Sequence, residues 1–206
     1  MGLWGDRVLP HIIDRACAMD EMLPLRERAC AGLNGTVLEL GFGSGLNCSL
    51  YPEAVTDVLA VEPSDTAWRM SADRRATASA PVARAGLDAQ GIELDDDSVD
   101  SVLITFTLCT IPDAEAALTE VARVLKPAGS VHIAEHGQSP DGGVAAWQRR
   151  LDPIQQRLFG GCHLTRQPIN LLEASGFTST DIEAGYVNGF AVARPWSYGY
   201  SGTAQR

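Results

Sequence analysis

The chain has 206 residues, 45% of them hydrophobic and 20% charged, and a formal net charge of −10. Such a length suits one packed domain, residues 1–206, and the acidic balance without any Lys/Arg-rich segment argues against a nucleic-acid partner. No apolar run approaches the ~20 residues of a membrane span, and the start of the chain lacks the basic and apolar blocks of a signal peptide, so cytoplasmic residence is expected.

In chain order, residues 1–35 read as a helical cap. Val37 to Leu40 form a short apolar strand that runs into Gly41, Gly43 and Gly45 and then into an expected helix. Glycines at that spacing let the backbone turn sharply and approach a ligand closely, while the following helix start offers unpaired N–H groups. The spacing is G-x-G-x-G; a dinucleotide fingerprint would require glycine where Leu46 stands, which disfavours NAD.

Residues 57–62 read as a second strand closing on Glu62, followed by a helix over 65–75. A carboxylate at the end of that strand, some way past a glycine loop, is placed to accept hydrogen bonds from ribose hydroxyls. A weak strand is expected over 82–85 and a strong, central one over 101–106 (Ser-Val-Leu-Ile-Thr-Phe). Pro112-Asp113 opens a helix with Ala117, Leu118, Val121, Val124 and Leu125 on one face, and Pro127-Ala-Gly129 stops it before a strand over 131–134. Then come a helix over 144–158 interrupted at Pro153, a Gly-Gly loop, a helix over 167–175, and strands near 181–184 and 189–193. Alternating strands and helices predict a doubly wound, mostly parallel α/β sheet with its ligand crevice at the carboxyl ends of the strands.

Asp95-Asp96-Asp97 with Asp100 lacks the glycine and spacing of a calcium loop and reads as a solvated turn. The cysteines, Cys17, Cys30, Cys48, Cys109 and Cys162, are scattered and contain no C-x-x-C pair. They imply reduced thiols rather than a disulfide frame or a zinc site, and no metal is expected. Cys109 reads as a small buried hydrophobe rather than a nucleophile.

Glu39 ahead of the glycine run makes Val37–Asn47 resemble motif I of class I S-adenosylmethionine (SAM) methyltransferases. Asp88-Ala89-Gln90 followed by Leu94 to Asp100 resembles the corresponding segment of ubiquinone/menaquinone-type members, and Glu115 to Gly129 resembles the helix and turn before their fifth strand. The resemblance implies a seven-stranded Rossmann-like sheet with SAM as cofactor. It places SAM along Glu39, Gly41, Gly43, Ser44 and Asn47, with Glu62 and Pro63 at the ribose, Asp88 and Ala89 at the adenine, and Thr107 and Leu108 beside the methionine part. The Asn/Asp-Pro-Pro-aromatic block of nitrogen methyltransferases is absent after the fourth strand.

Further on, Glu135-His136, Leu151-Asp-Pro153, Leu158 to Arg166 and Arg194 to Tyr200 resemble the methyltransferase-like subfamily whose animal members methylate alkyl thiols. That implies a small-molecule acceptor, best read as a thiol, under a lid over 144–170; transfer to oxygen, nitrogen or carbon and a non-catalytic SAM-binding regulator are the alternatives. Those animal proteins begin with a hydrophobic anchor that this sequence lacks. His136 and His163 are candidate bases or thiolate stabilisers, because histidine exchanges protons near neutrality. Asp152 either orients one of them or caps the turn at Pro153. Arg166 is expected to pair with an acid inside the lid. Trp196, Tyr198 and Tyr200 either close over the site or pack at the sheet edge.

Overall fold

The computed structural model describes residues 4–187 and 191–206. Its centre is a seven-stranded sheet ordered β3-β2-β1-β4-β5-β7-β6. The strands are β1 (Gly35–Leu40), β2 (Val55–Val61), β3 (Val82–Gly86), β4 (Val99–Thr105), β5 (Leu125–His136), β6 (Thr178–Tyr186) and β7 (Tyr198–Gln205). The first five run parallel, and β7 lies antiparallel between β5 and β6.

Side-chain alternation builds a core on each face. Leu38 and Leu40 of β1, Val102 and Ile104 of β4, and Val131 and Ile133 of β5 share one buried cluster with Leu118 and Val121 of helix α5 (Ala114–Val124). Val37, Val58, Leu103 and Ala134 point the other way, toward Ala29, Cys30 and Leu33 at the end of α2 (Leu23–Cys30). Each Val, Leu or Ile among them removed from water contributes roughly 1.5–3 kcal/mol. Helix α5 starts where the sequence places it, because Asp113 Oδ1 accepts from the Ala116 N–H at 2.9 Å.

The N-terminal cap consists of a π-helical turn (Trp4–Val8), α1 (Leu9–Cys17), a 3-10 turn (Asp20–Met22) and α2. Several boundaries depart from the sequence reading. No helix follows the glycine loop: residues 46–50 form successive tight turns, with Cys48 N–H donating to Gly45 and Leu50 N–H to Asn47, because Pro52 leaves too few residues to repay helix nucleation. The expected helix over 65–75 is two short ones, α3 (Asp65–Met70) and α4 (Ala72–Ala76), parted where the Ser71 hydroxyl bonds back to the Trp68 carbonyl at 2.7 Å.

Pro127 and Gly129 do not delay β5, which starts at Leu125; the extra residues are absorbed by a register shift opposite Val99–Ser101. Helix α6 (Gly142–Leu158) runs through Pro153 without a break. Its start is fixed by Asp141, whose Oδ1 accepts from the Gly143 N–H at 2.9 Å. Helix α7 (Pro168–Ala174) follows, and α8 (Arg194–Ser197) is a single turn. Of the strand expected near 189–193, residues 189 and 190 lie outside the described residues, and Ala191–Ala193 form a 3-10 turn; the final strand is β7 instead. Gly199 and Gly202 hid it by interrupting the apolar alternation.

Candidate functional site

Gly41, Glu62, Asp88 and Thr107 follow the carboxyl ends of parallel strands and His136 is the last residue of one, so the topology collects them along one edge of the sheet. At the glycine loop, Gly41, Gly43 and Gly45 have φ of +69°, +60° and +79°. A Cβ at Gly41 would lie 2.0 Å from Thr107 Oγ1, so the loop and the end of β4 pack as only glycine allows. A Cβ at Gly43 would meet nothing nearer than 3.8 Å, which leaves that side of the loop open for a ligand.

The buried Glu62 carboxylate clamps this loop: the Gly43 N–H donates to Oε2 at 2.6 Å and the Ser64 N–H to Oε1 at 2.7 Å. Burial pushes its pKa upward against those two hydrogen bonds. Pro63 beside it is exposed. Asp88 is exposed, with Oδ1 accepting from the Gln90 N–H at 2.9 Å and Nε2 at 3.0 Å, while Ala89 tucks into the core.

Glu39 holds the loop from beneath. Its carboxylate, fully buried, accepts from Asn47 Nδ2 at 2.8 Å and from the Tyr51 hydroxyl. Burial raises its pKa to about 7, opposed by those two hydrogen bonds and by Arg26. Arg26 of the cap reaches the same network, donating to Asn47 Oδ1 at 2.8 Å and Thr105 Oγ1 at 3.1 Å, and lies 5.0 Å over the ring of Phe106. A second cap residue, Asp14, accepts from the Ser44 hydroxyl at 2.5 Å and from Arg74 at 2.7 Å. Arg74 also donates to the Ser44 carbonyl at 2.9 Å. Sequence reasoning missed Arg26, Asp14, Arg74 and Tyr51, which no local motif marks.

At the other end of the crevice, Glu135 Oε1 accepts from the Thr107 N–H at 2.5 Å and the Leu108 N–H at 2.9 Å. Burial raises its pKa to about 7. The Leu108 side chain is wholly in the core, so this residue faces the crevice only through its backbone. His136 Nε2, on a half-buried residue, lies 3.1 Å from Sγ of the buried Cys162, and the buried Cys109 completes the group. Two buried polar atoms here, Glu135 Oε2 and His136 Nδ1, have no hydrogen-bond partner among the described residues.

Asp152 of α6 orders the lid: Oδ1 accepts from the Leu164 N–H at 2.6 Å, Oδ2 accepts from Gln156 at 2.6 Å, and His163 Nδ1 lies 3.4 Å from Oδ2. The His163 N–H donates to the Cys109 carbonyl at 2.8 Å. Among the described residues Arg166 bonds no acid. It donates to the carbonyls of Leu108 and of Ile111 (2.6 Å), because the tight turn after β4 leaves those oxygens without backbone partners. Tyr198 and Tyr200 stack edge to face within β7, an interior strand rather than an edge, and the Tyr200 hydroxyl donates to the Gln138 carbonyl at 2.6 Å. Trp196 donates to Gln155 on α6 at 3.1 Å.

Among the described residues no helix is long and apolar enough to cross a membrane. The methyltransferase-domain family model matches residues 38–133. Human thiol S-methyltransferase TMT1A is 32% identical over an alignment covering 98% of this chain and 89% of that protein. Rat thiol S-methyltransferase TMT1B is 34% identical over 72% of this chain, and the match spans 62% of that relative's length. A solved SAM-dependent methyltransferase from Thermotoga maritima superposes with a TM-score of 0.68 at 18% identity, covering 99% of each chain. Glycines that admit a ligand and a carboxylate at the end of β2 fit a nucleoside sulfonium, and SAM is the cofactor. Fold, loop chemistry and relatives agree that this chain belongs to the class I SAM-dependent methyltransferases.

Proposed function

We propose that the protein transfers the methyl group of SAM to the sulfur of a small thiol. The observation that carries this reading is the extent of the likeness to human TMT1A, which runs through the lid segment and β7 as well as the cofactor half. SAM supplies an electrophilic methyl on a sulfonium. A thiol of pKa ~8.5 needs little help to become a nucleophile near neutrality, so positioning carries most of the work.

In this reading Glu62 takes the ribose hydroxyls, Glu39 and Asn47 brace the loop, Ser44 and Pro63 border it, and Asp88 and Ala89 receive the adenine. Thr107 and Leu108 border the methionine part. His136 stabilises the acceptor thiolate at the buried end, and His163, aligned by Asp152, takes the departing proton toward solvent. The lid over 144–170 and the cap exclude water.

The test is mass-spectrometric detection of S-adenosylhomocysteine and methyl thioether from purified protein, SAM and a simple alkyl thiol. Product is expected, and Glu62→Ala should abolish it. A bacterial phosphatidylethanolamine N-methyltransferase is also 31% identical over 65% of this chain, so amines and phenols belong in the panel. Turnover on one of those, with none on any thiol, would overturn the thiol reading.

A further inference from the structure

Cys109 follows β4, His136 ends β5, and Cys162 lies in the lid just past α6. Distant in the chain, they meet in space: one ligand atom from each lies within 4.8 Å of the others, past the carboxyl ends of β4 and β5. His136 Nε2 and Cys162 Sγ stand 3.1 Å apart. Two sulfurs and an imidazole nitrogen are the donor set of a tetrahedral zinc site. Ligand atoms ~2.0–2.3 Å from a common ion stand about 3.5 Å apart, so adjustments on the order of 1 Å close the group around one.

The surroundings point the same way. His136 Nδ1 and Glu135 Oε2 are buried polar atoms without partners among the described residues, which a group built only for packing would not leave beside two thiols. A divalent cation held by two thiolates balances their charge and gives the neighbouring carboxylate a nearby positive partner.

We infer that Cys109, His136 and Cys162 bind one zinc ion through three protein ligands, leaving a fourth position for the sulfur of the acceptor. The catalytic part of the inference rests on the thiol reading above. On binding, the acceptor S–H bond breaks and its proton passes by way of His163 to water, and the sulfur stays on the ion as a thiolate. A lone pair of that sulfur forms the new bond to the methyl carbon, and the bond from that carbon to the sulfonium breaks with its electron pair going to the cofactor's sulfur. The neutral thioether is a poor ligand and leaves. No oxidant or reductant takes part.

The test starts with metal content of the purified full-length protein after dialysis against zinc and then metal-free buffer. About one zinc per chain is expected, falling at least tenfold in Cys109→Ser and Cys162→Ser. Cobalt exchanged into the unaltered protein should give thiolate-to-metal charge-transfer absorption, which keeps the proposal testable if the variants fail to fold. Less than a tenth of an equivalent of zinc with both thiols free to alkylating reagent, or a Cys109–Cys162 disulfide found by mass spectrometry, would overturn it.

Activity then separates the two readings. Zinc bound at full stoichiometry with no thiol methylated leaves the site and removes the acceptor class. Undiminished thiol methylation by the metal-free protein keeps the acceptor class and removes the ion from the transfer step.

Discussion

Glu62 directly follows β2 with each oxygen already held by a main-chain N–H, so its rotamer is set before any ligand arrives. Hydrogen bonds to a charged group contribute about 1.5–3 kcal/mol each, and losing two from the ribose predicts roughly a 100-fold or greater fall in SAM affinity for Glu62→Ala. Calorimetric titration checks this; unchanged affinity would remove Glu62 from the cofactor site. Glu39 makes a different prediction. Its pKa, about 7 against a reference of 4.5, means the folded chain holds a proton that the unfolded chain releases. Its favourable contribution is therefore complete below about pH 4.5 and is lost as pH rises through about 7, a swing of roughly 3 kcal/mol. Denaturant midpoints of the SAM-free protein measured from pH 5 to 8 should fall less steeply for Glu39→Gln than for the parent, and equal slopes would show that Glu39 ionises normally. The glycines and Glu62 were legible in the sequence because their chemistry is local: a turn, then a strand end. Arg26 and Asp14 were not, since their partners lie at Asn47, Thr105, Ser44 and Arg74, a contact set that only the folded chain creates. The scattered spacing of Cys109 and Cys162 hid their meeting in the same way.

Element types were readable where burial decides them, as in β1, β4 and α5, whose apolar positions match their faces. Boundaries set by other forces were not. The segment after Gly45 carries helix-compatible residues, yet Pro52 cuts it to turns. Pro153 errs in the opposite sense: proline without an N–H should break a helix, but α6 continues through it, secured by Asp141 at its start and by Asp152 and Gln148 along its buried side. Pro153 is exposed, so replacing it loses no packing. Pro153→Ala should stabilise the protein by about 2 kcal/mol and raise Tm by roughly 4–8 °C. Calorimetry checks this; an unchanged or lower Tm would mean that the ring's restriction of the unfolded chain outweighs its cost in α6.

At the scale of the whole molecule, the cap is fastened to the cofactor loop at a few polar points, Asp14 to Ser44 and Arg74 and Arg26 to Asn47. Asp14 and Arg74 are partly solvent-exposed, so their ion pair stabilises the fold by at most about 1 kcal/mol after screening. Helix α1 can thus come loose while α2 stays packed on the sheet through Ala29 and Cys30. Asp14→Ala should speed tryptic cleavage after Arg15 several-fold and accelerate SAM release, with Tm nearly unchanged. Cleavage at the parental rate would show that apolar packing alone secures α1.

The placement of β7 between β5 and β6 has a consequence for synthesis on the ribosome. Five parallel strands and their helices can assemble as the chain emerges, but β6 has no neighbour until residues 198–205 arrive and slot in antiparallel to both sides. Until then the free edge of β5, which ends at His136, offers unpaired N–H and C=O groups to any passing strand. A nascent chain paused just short of Tyr198 would hold a nearly finished cofactor half beside an open edge, the stage at which a chaperone that shields strand edges would matter most.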